Sequence, residues 1–382
     1  MADLPLQPTN PTTDADDGAP QDGIGLCLSG GGYRAMLFHV GTLWRLHEAG
    51  LLEKVARISS VSGGSITSAA LAIAWPDIVA NPAREVFVAR FVDKVRALAG
   101  HTVDVGAVLG GLLLPGSVSD RVAGAYRRYI CGHATLQDLP DAPRFIFNAT
   151  SIQTGALWRF SKPYMGDWRV GRIVSPTLDL ATAVAASSAF PPVLSPVTID
   201  LAADQVWDAG GADVTDPGFK KQAVLGDGGI YDNLGLETVW KRYNTVLVSD
   251  AGAKVAPDAD PHGDWGRGSM RIFDLVDNQV RSLRKRQLIG SYLASEGSAE
   301  HRLGAYWSIR SLASDFAGAD PALAAPAAKT QELAAVATRL AAMDGVLQER
   351  LINWGYAVCG AAIRTHVDPG LAKGHYPYAS GV

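Results

Sequence analysis

The sequence predicts an α/β fold, a three-layer α/β/α sandwich around a mostly parallel central sheet. Three observations predict it. "GIGLCLSGGG" sets Ile24, Leu26 and Leu28 on one side of a short strand that runs straight into three glycines. A helical stripe follows, and then a second strand and a second helix, which is the βαβ grammar of a parallel sheet. Composition agrees: 47% hydrophobic and 19% charged residues in 382 give ample material for a core.

Each element has its own signal. Residues 35–49 put Met36, Val40 and Leu43 on one stripe, and Gly50 stops the helix. Residues 56–61 read as the next strand, with a helix from Gly63 towards Trp75. "RFIFNATSI" and "ALWRFS" read as a hairpin turning at "QTG". "QAVLGDGG" and "NTVLVSDAG" read as two more buried strands, parted by a short helix at about 236–242. Helices are predicted over about 270–294 and 330–354, separated by a strand "AYWSIR" and an alanine- and proline-rich loop. The resulting division is a disordered leader (1–22), a core (23–252) with a lid or packing insertion at about 101–140, and a mainly helical extension (253–382) packed on the same domain.

Charge and cysteine content exclude several classes. A net charge of −4 gives no reason to expect nucleic acid. Cys27, Cys131 and Cys359 are odd in number and widely spaced, which fits buried thiols in a reducing compartment. The acidic, proline-rich leader lacks the basic and apolar regions of a signal peptide. No apolar run approaches the roughly 20 residues that span a bilayer. A cytoplasmic protein is expected, with visits to a membrane surface left open.

Three constellations carry chemistry. "SGGGYR" (29–34) sits at a strand-to-helix junction, where glycines let backbone N–H groups converge near a helix N-terminus. It reads as a phosphate cradle, an oxyanion hole or a plain turn. The Gly-Lys-Ser/Thr of a phosphate loop is missing. "RISSVSGGSITSAALA" (57–72) crowds several serines before a helix. A nucleophile elbow needs small residues two places either side of its serine. Ser62 has Ser60 and Gly64 there, whereas Ser60 would have the bulky Ile58, so sterics favour Ser62 over Ser60 as the nucleophile, with a plain helix cap as the other reading of the cluster. "LGDGGIYDNLG" (225–235) ends an apolar strand at Asp227, with Asp232 and Asn233 placed to brace the loop.

A glycine cradle, an exposed serine and an aspartate at strand ends of one sheet are what acyl transfer requires. None of the eight histidines stands where a triad would need it, so a Ser–Asp pair is the simpler device. An ordinary carboxylate is a weak base, and burial beside the strand would have to raise its pKa.

These residues resemble the patatin-like phospholipase family, related to the cytosolic phospholipases. That family carries a Gly-Gly-Gly-x-Arg loop, a G-x-S-x-G nucleophile and a D-G-G or D-G-A aspartate. The matches are Gly30-Gly31-Gly32-Tyr33-Arg34, Ser62 and Asp227-Gly228-Gly229, and "AASSAFPPV" (185–193) is similar to a segment before the aspartate. The resemblance covers about 23–252. It implies Ser62 as nucleophile, Asp227 as base, an oxyanion hole of Gly30, Gly31 and Gly32 with the latter two donating, and Arg34 either bracing the loop or meeting a substrate phosphate. Ser29 stands where the family has Asp, and Ser60 where it has Gly. The first should alter bracing rather than chemistry.

The implied activity is release of fatty acid from phospholipids or lysophospholipids through an acyl-enzyme. A general carboxylesterase or acyltransferase with the same dyad, and an inactive lipid-binding protein of the same fold, are the alternatives. Leu109, Leu112, Leu113 and Leu114 read as a lid, acyl-chain wall or packing insertion, and "RSLRKR" (281–286) as a lipid-facing or merely solvated face. "DADPHGD" (258–264) departs from a calcium loop at Ser269 and His262, so no metal and no cofactor is expected. The expected partner is a lipid or other acyl-ester substrate.

Overall fold

The computed structural model describes residues 20–103, 118–192, 194–261 and 263–382. The apolar cluster 109–114, His262 and all but the last three residues of the leader lie outside the described residues.

The chain lays down β1 (Gln21–Leu28), α1 (Gly32–Glu48), β2 (Val55–Val61) and α2 (Gly63–Ala80) in the predicted order. Short helices then lead to β3 (Arg144–Ser151), β4 (Leu157–Phe160), β5 (Tyr164–Asp167), β6 (Gly171–Val174) and α3 (Leu180–Ser187). Next come β7 (Val197–Asp200), β8 (Trp207–Asp208), β9 (Gln222–Asp227) and β10 (Tyr243–Asp250). The C-terminal third holds α4 (Trp265–Leu293), β11 (Leu303–Ser308), α5 (Ala327–Ala335) and α6 (Gly345–His366).

Among the described residues these strands form one eleven-stranded mixed sheet, ordered β11-β10-β1-β2-β3-β4-β5-β6-β8, with β9 pairing β3 and β7 pairing β9. From β11 through β3 all neighbours are parallel. The remaining pairings are antiparallel. The central strands are buried on both faces, as parallel strands under two helical layers must be. In β1, Leu26 and Leu28 enter a large core with α1, α2, α3 and α6, while Cys27 points the other way into a second core with Val246, Val248 and Leu288.

Two strands share one edge of β3. β2 runs parallel to it, pairing Arg57 with Arg144 and ending at Val61 opposite Asn148. β9 runs antiparallel and ends at Asp227 opposite Ala149. The opposite edge of β3 is taken by β4 at Phe147–Thr150. So β2 and β9 approach head to head along the same edge, and both stop where they meet.

One expectation needs correction. The sequence predicts a single helix over about 330–354, but the chain breaks there into α5 and α6. Asp344 caps α6 by accepting the N–H groups of Val346 and Leu347 at 3.0 Å each. The intervening backbone is held elsewhere, since the Arg339 carbonyl accepts the Tyr33 N–H at 3.0 Å.

Helices α1 and α6 cross with their backbones touching. A Cβ on Gly355 would collide with the Phe38 carbonyl, and one on Gly41 with the Ile352 carbonyl. Neither backbone can yield without separating the helices. Gly355→Val should therefore cost about 1–3 kcal/mol of stability or more, read as a lower urea midpoint. An unchanged midpoint would show that the crossing is loose.

Candidate active site

The "SSVSGGS" cluster resolves into separate tasks. Ser59 Oγ donates to the Gly235 carbonyl at 2.6 Å and accepts from Asn148 Nδ2 and Thr238 Oγ1. Ser60 Oγ donates to the Ile146 carbonyl at 3.1 Å and accepts from Ser65 Oγ at 3.1 Å. A hydroxyl thus occupies the position where the resemblance expects glycine, filled and satisfied. Ser62 alone of these serines lines the cavity described below. Its backbone has φ 52° and ψ −119°, a conformation that L-residues rarely adopt. This is the sharp strand–turn–helix bend of an elbow, and α2 starts at once, with the Ser62 carbonyl accepting the Ser65 and Ile66 N–H groups. Gly63 is required by close approach: a Cβ there would strike the Gly32 carbonyl.

Sequence reading missed the residue that steadies this bend. Ser187, at the end of α3, accepts the Ser62 N–H at 3.2 Å and donates to the Asn148 carbonyl at 2.6 Å. It lies inside "AASSAFPPV", a segment whose resemblance was the available signal.

Asp227 arrives at the end of β9. Its N–H donates to the Ala189 carbonyl at 2.9 Å, its carbonyl accepts Thr150 Oγ1 at 2.8 Å, and Oδ1 accepts the Gly229 N–H at 2.7 Å. The side chain is buried. Desolvation pushes its pKa up to about 7, against the opposing pull of the Gly229 N–H and the nearby Ser62 hydroxyl, and the Asp277 carboxylate pushes in the same direction as burial. Oδ2 completes no hydrogen bond of sound geometry among the described residues. The serine and carboxylate are apposed but not closed, as such pairs commonly are without substrate.

The glycine loop stands over them at the N-terminus of α1. Gly31 has φ 142° and Gly32 φ 60°, both in the left-handed region. The Gly30 N–H donates to the Asn233 carbonyl at 3.1 Å and is therefore spent. The described chain offers no acceptor to the N–H groups of Gly31 and Gly32. Asp232 holds the Asn233 loop by accepting the N–H groups of Leu234 at 3.2 Å and Glu237 at 2.7 Å. Ser29 Oγ accepts the Ala251 N–H at 2.7 Å, so the residue replacing the family's Asp does brace the loop.

Arg34 is held inside the protein. It is 2% exposed, and its guanidinium donates to the Ala251 carbonyl at 2.8 Å and to Thr338 Oγ1 at 3.1 Å. Burial lowers its pKa to about 10, which leaves it cationic at neutral pH. It clamps the glycine loop to residues 336–338 and is not among the residues lining the cavity. His39 is likewise structural. It bridges Ser249 Oγ and the Ser29 carbonyl at 2.9 Å each, and burial depresses its pKa to about 4, so it stays neutral.

A cavity of about 860 Å³ opens over Ser62, Asp227, Gly31 and Gly32. One wall is apolar, with Phe190, Pro191, Pro192, Leu194 and Leu340. Helix α4 contributes Met270 and the charged Arg271, Asp274, Asp277 and Arg281. The helix break contributes Thr338 and Arg339. Nothing in the local sequence pattern tied these C-terminal residues to the site. Among the described residues no cluster of His, Cys, Asp and Glu could hold a metal ion.

A family model, "Patatin-like phospholipase", matches residues 26–240, more than half of the chain, and the chain belongs to that family of lipid hydrolases. No curated protein matches it. Among solved structures, human GIVD cytosolic phospholipase A2 with a methyl γ-linolenyl fluorophosphonate inhibitor and terbium chloride is similar at 14% identity and a TM-score of 0.48. The match covers 89% of this chain and 57% of that one. Without those additions the same human protein gives 12% identity, a TM-score of 0.49 and 89% and 61% coverage. VipD from Legionella pneumophila gives 13%, 0.34, and 89% and 66%. The chain thus spans 57–66% of the length of these proteins.

The raised Asp227 pKa makes a stability prediction. The unfolded carboxyl titrates near 3.8 and the folded one near 7. Between these values the unfolded chain gives up its proton first, so stability falls as pH rises through this window, by up to about 4 kcal/mol. Asp227→Asn removes the penalty. Its melting temperature should gain on wild type at pH 8 and not at pH 4; an equal difference at both pH values would refute the assignment.

Proposed function

We propose that this protein releases fatty acid from phospholipids or lysophospholipids, with Ser62 as nucleophile and Asp227 as its base. The carrying observation is the convergence of three things in one cavity: a serine on a strained elbow, a buried carboxylate with a pKa near neutrality, and two unspent N–H groups at a helix N-terminus.

In this reading the ester carbonyl lies over Ser62 with its oxygen towards the Gly31 and Gly32 N–H groups. Asp227 takes the Ser62 proton as Oγ attacks the carbonyl carbon. The oxyanion that forms is stabilised by both N–H groups and by the positive end of the α1 dipole, a few kcal/mol per donor in comparable sites. Collapse expels the alcohol, which receives the proton from Asp227. Water then attacks the acyl-enzyme with Asp227 again as base, and Ser62 is restored. A pKa near 7 suits both directions of proton transfer at neutral pH.

The cavity's two walls support a lipid over a small soluble ester. The proline- and phenylalanine-lined side fits an acyl chain, and the α4 side fits a polar headgroup. Arg34 and the 336–340 segment set the shape of the glycine loop, so the catalytic unit in this reading is larger than the expected core of 23–252. The three cysteines are free and buried, which fits a cytoplasmic setting. No described helix is long and apolar enough to cross a membrane.

Ser62→Ala and Asp227→Asn should each lower fatty-acid release from mixed phospholipid and lysophospholipid by at least about a thousandfold, with near-ultraviolet circular dichroism unchanged. Normal turnover in either variant would sink the dyad. A fluorophosphonate should modify Ser62, detected by peptide mass spectrometry; modification of Ser60 or Ser65 would reassign the nucleophile. In wild type, kcat/KM should rise with pH and level off above about 7, since the base works only when ionised. A profile flat from pH 5 to 8 would remove Asp227 from that role.

A further inference from the structure

The glycine loop is fixed one peptide group at a time. In the Ser29–Gly30 peptide the carbonyl accepts from His39 Nε2 at 2.9 Å, and the N–H donates to the Asn233 carbonyl at 3.1 Å. A carbonyl can only accept, so the His39 proton sits on Nε2, and Nδ1 takes the Ser249 hydroxyl at 2.9 Å. In the Gly31–Gly32 peptide the carbonyl accepts the Ala35 N–H at 3.3 Å. The Gly32–Tyr33 peptide is held by the Tyr33 N–H on the Arg339 carbonyl at 3.0 Å. Between the first and second of these lies Gly30–Gly31, whose N–H is one of the two proposed oxyanion donors. Neither flanking residue has a Cβ, so the torsions on both sides leave this peptide free to rotate unless something holds it.

One hydrogen bond decides which way it faces. Ser29 Oγ donates to the Gly30 carbonyl at 3.2 Å, and among the described residues no other donor reaches that oxygen. Ser29 is wholly buried, and its Oγ accepts the Ala251 N–H at 2.7 Å, which leaves the hydroxyl proton for Gly30. The Gly30–Gly31 bond is trans, so its C=O and N–H point in opposite directions. A carbonyl turned in to the buried hydroxyl turns the Gly31 N–H away from it, and Gly31 lines the cavity.

We infer that Ser29 is a positioning residue for the oxyanion hole: its hydroxyl holds and polarises the Gly30–Gly31 peptide so that the Gly31 N–H is aimed at the substrate's carbonyl oxygen. Donation to a peptide oxygen draws charge from the nitrogen beyond it and makes the N–H a stronger donor. The role belongs to a hydroxyl. An ionised acid at position 29 could accept the Ala251 N–H but has no proton for the Gly30 carbonyl. The bond is long for a hydroxyl donor, so its loss costs less than loss of the N–H itself. The inference rests on the proposed Ser62 chemistry for its purpose, and on the geometry of the peptide for its evidence.

The test compares Ser29→Ala and Ser29→Cys with wild type in the full chain. With p-nitrophenyl butyrate, a monomeric acyl ester, Ser29→Ala should lower kcat about tenfold and leave KM unchanged, short of the roughly hundredfold cost of removing a donor outright. Ser29→Cys keeps the volume with a weaker S–H donor and should fall between. A trifluoromethyl ketone, whose adduct with Ser62 puts an oxyanion in the hole, should lose affinity in parallel with kcat. In isotope-labelled protein the Gly31 amide nitrogen, which responds to hydrogen bonding at the preceding carbonyl, should shift upfield in the order Ser, Cys, Ala. That readout needs no activity, and a merely structural role would move the melting temperature without it. Should Ser29→Ala not fold, Ser29→Cys carries the same comparisons. Ser62-dependent hydrolysis at the wild-type kcat in these variants, a loss confined to KM, or a Gly31 nitrogen that stays in place would each overturn the positioning role. A wild type that cleaves no ester yet shows the Gly31 shift would sink the enzymatic reading and leave the clamp on the peptide standing.

Discussion

The site depends on a single arrangement of backbone, the sharing of one edge of β3 by β2 and β9. β2 ends at Val61 opposite Asn148, and β9 ends at Asp227 opposite Ala149. Neither strand can extend further without running into the other. Both must turn out of the sheet, and a chain leaving a sheet so abruptly needs unusual torsions, small neighbours or both. Ser62 meets the first requirement with its positive φ, and Gly63 and Gly228 meet the second, since a Cβ at Gly228 would strike the Asn148 carbonyl. The proximity of serine and aspartate is therefore a consequence of ladder geometry, held by main-chain hydrogen bonds rather than by side-chain contacts between the pair.

The same geometry explains why the Asp227 pKa is raised. A carboxylate at the end of an interior strand is desolvated, and the single N–H it accepts from Gly229 does not compensate. Its second oxygen is left without a full hydrogen bond beside the serine. The buried Asp250 is better served: it accepts the Gly252 N–H and Tyr306 Oη, and Arg281 holds its pKa below the ordinary range despite burial. The contrast marks Asp227 as an acid that the fold leaves under-satisfied. Such unrelieved cost, placed beside an off-pattern backbone at Ser62, is where folds trade stability for chemistry.

Local signals made the strand ends of the candidate site legible from the sequence, and long-range pairing hid the rest. The three glycines, the small residues around Ser62 and the apolar run ending at Asp227 are adjacent in the chain, so their constraints appear as spacing. The direction of β9 does not: an apolar run reads alike whether it pairs parallel or antiparallel, and only the register with Ala149 shows that it meets β2 head on. Arg34 was equally ambiguous. An arginine at a helix start faces solvent or core with no local difference, and its partners at Ala251, Val336 and Thr338 lie more than 200 residues away. The helix predicted across 330–354 failed for a related reason. Periodicity continues through that stretch, but the chain leaves the helix there to reach the glycine loop, where the Arg339 carbonyl accepts the Tyr33 N–H, and such a long-range contact leaves no local signal.

Helix α4 shows how the inward and outward demands of one element can be set independently. Alternate turns of a helix see different surroundings, and with 3.6 residues per turn two faces can follow opposite rules. On α4 the face towards the site is polar because it walls a cavity rather than a core. The core-forming part of the helix is confined to its C-terminal end, where Leu288 packs with Val246 and Val248. In the N-terminal turns Met270 lines the cavity and Phe273 meets Phe190, while Trp265, Ile272, Leu275 and Val276 are exposed. Hydrophobic periodicity alone would have assigned that stripe to the interior. The half-buried Asp277 and Arg281, which line the cavity from the opposite side, reverse the assignment.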